Sequence, residues 1–242
     1  YVGAIHCWLA SQTEPVQLID ISHNISPQNI WQGALAVRRY CHQYPKNTVH
    51  VAVVDPGVGS GRAAIALKCQ DHWLIGPNNG LLSLAAKTYQ DAEVYHLKSH
   101  TEWWQKHNSF DGLSLFIPAA YQISQGTPIS ELAESSSDFH QLTMPIPEIV
   151  TNQLIGQIIA FDHFGNAITN ISRADAPQNQ GTVFMVANNA FPLVNCYSDA
   201  DASSRCAIVN SDGLIELCVY QSSASRSLGL SIGDSVATAI KS

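Results

Sequence analysis

Short apolar runs bounded by turn residues alternate with stretches of helical periodicity over residues 1–140, the pattern of a doubly wound α/β layer. Val16-Gln17-Leu18-Ile19-Asp20-Ile21 reads as a strand and Ile30 to Tyr44 as a helix. Val49-His50-Val51-Ala52-Val53-Val54 is a β-branched run of the kind covered on both faces of a sheet. Ala63 to Lys68 and His72 to Ile75 predict two more strands. A helix from Leu81 to Thr88 follows the turn-rich Gly76-Pro77-Asn78-Asn79-Gly80, and Ser114 to Ser124 is a further helical stretch. At Met144-Pro145-Ile146-Pro147 two prolines in four residues favour an extended connector, which divides the chain into domains at 1–147 and 148–242. Beyond it lie short strand-like runs at Gly156 to Asp162, Ala167 to Ile171, Thr182 to Val186, Ala207 to Val209, Leu214 to Val219 and Ser235 to Ile240. The expected fold is therefore an α/β N-terminal domain with a Rossmann-like layered sheet, then an all-β domain, a small antiparallel sandwich or barrel.

Three segments carry candidate chemistry. In Val53-Val54-Asp55-Pro56-Gly57-Val58-Gly59-Ser60-Gly61-Arg62, Asp55 stands at the carboxyl end of a buried strand, where ligands of open α/β sheets gather. The glycines let the chain fold back, so that Arg62 meets Asp55 in a charge-assisted pair, either as an ordinary ion pair or as part of a site. The segment is neither a GxGxxG fingerprint nor a P-loop. In Asp162-His163-Phe164-Gly165-Asn166, a carboxylate, an amide and an aromatic face share one tight turn, a set suited to a purine nucleoside as well as to a plain β-turn. In Asn210-Ser211-Asp212-Gly213-Leu214-Ile215-Glu216, Ser211 and Glu216 face one ligand only if the turn bends between them; otherwise they decorate a hairpin.

Composition narrows the classes. A chain of 242 residues with 45% hydrophobic and only 13% charged positions predicts surface buried against other subunits. A net charge of −7 argues against a general nucleic-acid binder, which needs clustered cations to replace phosphate counterions. The six cysteines show no compact Cys/His spacing and no HExxH occurs, so buried thiols and no metal are expected. Trp103 and Trp104 read as packing residues, and Asn170-Ile171-Ser172 is a formal glycosylation acceptor of little weight. No apolar run reaches the roughly 20 residues that span a bilayer, and no basic segment leads into an apolar one. The expected location is cytoplasmic.

Taken in order, Asp20-Ile21-Ser22-His23, Val54 to Gly59, Gly76 to Ser83, Asp162 to Ile171 and Asn210 to Glu216 resemble the S-adenosylmethionine hydroxide adenosyltransferases, relatives of fluorinase and chlorinase. The resemblance covers nearly the whole chain. It implies an N-terminal α/β domain, a C-terminal β domain, and a homotrimer with its active sites between subunits. It also implies the reaction, S-adenosylmethionine and water giving adenosine and methionine, with no cofactor and no metal. On the matching positions, Asp55 and Arg62 are members of a water-handling Asp-Arg-His set. Phe164 and Asn166 hold adenine, and Asp162, Ser211 and Glu216 meet the remaining polar parts of the substrate.

Two departures from the family pattern bear on activity. Where the family reads TFHGRD this chain has Ser109-Phe110-Asp111-Gly112-Leu113-Ser114, so Asp111 stands in the place of the histidine. A second carboxylate near Asp55 repels hydroxide, which predicts a displaced pH profile or a weaker enzyme. The family's opening strand, with an aspartate expected on the ribose hydroxyls, falls before Tyr1. Two alternatives stay open: a catalytically silent module that binds adenosine or S-adenosylmethionine, and, disfavoured, a halogenase.

Overall fold

The computed structural model describes residues 1–41, 43–98, 110–177, 181–199 and 205–240, in two compact units, Tyr1–Leu142 and Thr143–Ser242. The first unit holds a five-stranded mixed sheet. Its strands are β1 (Val49–Val51), β2 (Ala64–Cys69), β3 (His72–Pro77), β4 (Ala92–Leu97) and β5 (Ala133–Ser136), in the order β1-β3-β2-β4-β5. Only β1 and β3 run parallel. The antiparallel pairing of β2 with β3 follows from their connection, because Cys69 faces His72 across a two-residue turn in which Gln70 takes φ 52°. A link that short closes a hairpin and cannot carry a parallel crossover.

Apolar side chains cover both faces of this sheet. Along β2, Ala64 and Ala66 pack against Phe116, Ala119 and Ile123, while Ile65 and Leu67 pack against Leu81, Leu82 and Ala85. Period-2 alternation of a strand apolar on both sides produces this layering. The covering helices include α2 (Ile30–Tyr40), the short α3 (Ser83–Ala86) and α4 (Ile117–Ser124), and α1 (Val2–Ala10) lies against α4 through the Trp8–Tyr121 ring contact. At the start of α2, Asn29 accepts from the Gln32 N–H at 2.9 Å and the Gln32 side chain accepts from the Ser26 N–H at 2.7 Å, a variant of the capping box. The helix ends at Tyr40 rather than Tyr44.

Two strand expectations fail in this unit. Residues 16–21 form no ladder, and Leu18, Ile19 and Ile21 are exposed. The run 49–54 is in the sheet only to Val51, although the Ala52 N–H still donates to the Ile75 C=O at 3.0 Å. There Gly76 is pressed so close that a side chain would meet the Ala52 carbonyl oxygen at 2.4 Å.

The second unit is antiparallel throughout its ladders. It comprises β6 (Glu148–Val150), β7 (Gln153–Phe161), β8 (Ala167–Ser172), β9 (Val183–Val186), β10 (Asn189–Pro192), β11 (Arg205–Val209), β12 (Leu214–Val219) and β13 (Ser235–Ala239). The order is β10-β9-β13-β7-β8-β12-β11, with β6 added on β7. A bridge between Leu193 and Ala207 joins the two ends, so the sheet curls into a nearly closed barrel around Ile158, Ile171, Phe184, Phe191, Ile215, Leu217 and Val236. Closure removes most free strand edges.

Candidate active site

In the first unit the site forms around Arg62. The loop after β1 turns back through Gly57, whose added Cβ would lie 3.3 Å from Ser60 Oγ and 3.5 Å from the Arg62 side chain, and through Gly59 at φ 79°. This brings Arg62 onto Asp55: Nε donates to Oδ1 at 3.0 Å and to Oδ2 at 2.9 Å, and an Nη donates to Oδ2 as well. The same Nη donates to Asp111 Oδ2. The ion pair foreseen from the glycine spacing is therefore present, and a second carboxylate shares its cation.

The side chains of Asp55 and Arg62 are 5% and 13% exposed, and Asp111 is the more open at 21%. Burial alone would lower the Arg62 pKa, but the bonds and charges of Asp55 and Asp111 raise it above its ordinary value, so the guanidinium is a fixed cation. Its Cζ also lies 5.4 Å from the centroid of the fully buried Phe116 ring. Asp111 comes from the head of a π-helical turn, Gly112–Phe116, that runs into α4. Such turns re-aim side chains at functional sites.

Two further features position this cluster. Asn79 Nδ2 donates to the Val54 carbonyl at 2.8 Å while its Oδ1 accepts from the Leu81 N–H at 3.1 Å, tying the residue before Asp55 to the turn ahead of α3. A cavity of about 520 Å³ opens beside Asp55 and Pro56, with Ser22, His23 and Ser26 on its other wall. His23 Nε2 donates to Asp20 at 3.0 Å, as does His6 Nε2, and these contacts hold the Asp20 carboxyl lower than usual.

In the second unit, the turn between β7 and β8 carries Asp162, Phe164 and Asn166. Gly165 takes φ 85°, and a side chain there would meet Ser223 Oγ at 2.1 Å, so only glycine fits. Asp162 Oδ1 accepts from the Asn166 N–H at 2.8 Å, and Asp162 Oδ2 accepts from Asn166 Nδ2 at 2.9 Å. The Phe164 ring is 74% exposed, an apolar face offered beside a polar, buried amide.

Glu216 on β12 joins this turn. Its Oε1 accepts from Asn166 Nδ2 at 3.1 Å and from the Tyr197 hydroxyl at 2.7 Å, and its Oε2 accepts from Asn210 Nδ2 at 3.2 Å. Asn210 Oδ1 accepts from the N–H groups of Asp212 and Leu214, which bends the hairpin and leaves Ser211 exposed at its tip. Asp162, Asn166 and Glu216 thus form one network, with Phe164 on the same turn and Ser211 on the neighbouring hairpin. Tyr197 is part of that network although nothing in its flanking sequence marks it.

Asn170 is buried, accepts from the Gln157 N–H at 2.7 Å and donates to the Pro145 carbonyl at 2.8 Å, so it is a structural residue of the barrel. Four of the six cysteines are buried and none is in a disulfide. Among the described residues no group of three metal-ligating side chains could hold an ion, and no helix is long and apolar enough to cross a membrane. Trp103, Trp104 and Ser109 lie outside the described residues.

Residues 1–133 match the N-terminal domain, and residues 156–237 the C-terminal domain, of the SAM hydroxide adenosyltransferases. The (R)-S-adenosyl-L-methionine hydrolase of Salinispora arenicola is 30% identical over 97% of this chain and 90% of its own length. A fluorinase of Nocardia brasiliensis is 24% identical over 91% of this chain and 86% of its own. The crystal structure of an uncharacterized conserved protein from Thermotoga maritima superposes with a TM-score of 0.86 at 26% identity, covering 98% of this chain and 94% of that one. With both domain matches in sequence order over a layered α/β unit and a barrel-like one, the chain belongs to the SAM hydroxide adenosyltransferase family.

Proposed function

We propose that this protein hydrolyses S-adenosyl-L-methionine to adenosine and L-methionine, by in-line attack of water or hydroxide on the ribose C5′. The observation that carries the reading is the partly buried Arg62 held between Asp55 and Asp111 next to a cavity. The name borne by the Salinispora relative supports the substrate. A sulfonium is already a good leaving group, so the task left to the protein is to hold a nucleophile in line about 3 Å from the carbon. Asp55 and Asp111 are acceptors for the protons of that water, and Arg62 supplies the positive charge that favours hydroxide. Because one guanidinium bridges both carboxylates, much of the repulsion that a second aspartate brings is offset.

The chemistry as written needs neither metal nor cofactor. Asp162, Phe164, Asn166, Ser211 and Glu216 form the substrate-binding set, with Phe164 as a stacking face and the polar groups around the nucleoside. The same proposal takes the layered sheet of the first unit as Rossmann-like, with Asp55 beyond the carboxyl end of β1. It takes the assembly as a homotrimer with its sites between subunits, and the location as cytoplasmic.

The test is incubation of the purified protein with S-adenosylmethionine, followed by chromatography across pH. Adenosine and methionine in equal amounts, lost in Asp55→Ala, support the reading. Binding without turnover, unrescued by Asp111→His, would show a silent binding module instead. Chloride-dependent 5′-chloro-5′-deoxyadenosine would place the protein with the halogenating relatives.

A further inference from the structure

The amide of Asn166 is chemically oriented. Both of its Nδ2 hydrogens point at carboxylates, to Asp162 Oδ2 at 2.9 Å and Glu216 Oε1 at 3.1 Å. Turning the amide over would set Oδ1 against two acceptor oxygens and take one donor away from each, so the nitrogen end is fixed inward. Oδ1 has no hydrogen-bond partner among the described residues. What Asn166 offers a ligand is therefore an acceptor and only an acceptor, on a turn that also exposes the Phe164 ring.

Glu216 enforces this orientation. It is 5% exposed, and its two oxygens are occupied by Asn166, Asn210 and Tyr197, with Cys218 Sγ a further neighbour at 3.6 Å from Oε1. No basic side chain pairs with it among the described residues. Tyr197 sits on a single turn of 3₁₀ helix, Tyr197–Asp199, and its hydroxyl makes a 2.7 Å bond to Glu216. Burial, and then the bond to Glu216, push the phenol above its usual range, so the hydroxyl remains a donor at any working pH.

We propose that Tyr197 and Glu216 are positioning residues that lock Asn166 with its carbonyl outward, and thereby select a 6-aminopurine over a 6-oxopurine. An exocyclic amino group donates to Oδ1. A carbonyl at the same place meets acceptor against acceptor and strands a polar group, the kind of mismatch that costs roughly 100-fold or more in discrimination. The inference rests on the reading of this turn as the nucleobase site of an S-adenosylmethionine hydrolase.

The experiment compares kcat/KM for S-adenosylmethionine and its deaminated 6-oxo counterpart, and calorimetric binding of adenosine and inosine, in the full chain and in Tyr197→Phe and Glu216→Gln. The unaltered protein should prefer the amino form by about 100-fold. Tyr197→Phe should cut the preference by about 10-fold, with the loss for the amino substrate carried by KM. Glu216→Gln, whose amide can face Asn166 with either end, should cut it further. Tyr197→Phe loses one hydroxyl from a half-exposed ring, so it remains informative if the buried Glu216 variant misfolds.

An unchanged amino-to-oxo ratio in Tyr197→Phe, or no preference in the unaltered protein, would overturn the proposal. Failure of the hydrolase reading is separable from it. Preferential adenosine binding without turnover would sink only the reaction, whereas turnover with an unaltered ratio would sink only the positioning role.

Discussion

Gly165 and Asp111 show how single residues set this site. At φ 85° and with Ser223 Oγ in the space of a Cβ, Gly165 cannot be replaced without moving the turn that presents Phe164 and Asn166. Gly165→Ala should destabilise the protein by about 2 kcal/mol or more and weaken adenosine binding, measured by denaturant unfolding and calorimetry. Asp111 is the more open of the two acids on Arg62. Asp111→Ala should leave the Asp55–Arg62 pair standing but lower kcat by roughly 100-fold or more, the range expected for loss of one proton acceptor. The pairing of Asp55 with Arg62 was legible because seven residues rich in glycine can return on themselves. The approach of Asp111 was not derivable from spacing, since 49 residues separate it from Arg62, and only the family resemblance pointed there. Tyr197 carried no signal at all, because a tyrosine in a polar loop reads as surface until its hydroxyl is seen on Glu216.

Among the elements, β1 and its neighbours hold the Asp55–Arg62 loop. Asn79→Ala removes the tie to the Val54 carbonyl and should cost about 1–2 kcal/mol of stability together with part of the activity, whereas remote surface substitutions should do neither. The same region carries a pH liability. His50 on β1 and His72 on β3 stack with ring centroids 5.6 Å apart, each with a buried ring nitrogen that has no partner among the described residues. Tyr44 meets His50 edge-on and Tyr89 lies tilted against His72, and Asp71, Lys68 and Lys46 are the charged groups near His72.

Burial, and then the charge of His72, lower His50 from 6.5 to about 4. The unfolded chain takes up a proton near pH 6.5 that the folded chain refuses until about pH 4, so stability falls as pH drops through that window. The loss should be on the order of 2–3 kcal/mol between pH 7 and 4, read by urea unfolding, and His50→Phe should flatten that slope. Element types were legible where apolar periodicity was long, as in α2 and the barrel strands. The run 16–21 misled because alternation predicts a strand only when a neighbouring backbone accepts its hydrogen bonds, and none does so among the described residues.

For the whole molecule, the two-domain plan was legible from the change of texture at Pro145 and Pro147, and the barrel from short runs between turn residues. The mixed character of the first sheet was hidden in a two-residue turn, Gln70-Asp71, that carries no glycine to announce a hairpin. A sparsely charged composition and the exposed Ile146, Ile149 and Ile232 fit a chain that buries surface against copies of itself. Light scattering should give three times the 26.2 kDa chain mass, and a monomer at working concentration would end the trimer proposal.

The claim that water attacks C5′ is tested most directly by turnover of S-adenosylmethionine in water enriched in oxygen-18, with mass analysis of both products. The account predicts one labelled oxygen in adenosine, at the 5′ position, with none incorporated into methionine and no label transfer in Asp55→Ala. Adenosine without the label, or no adenosine from a protein that binds the substrate, would contradict it.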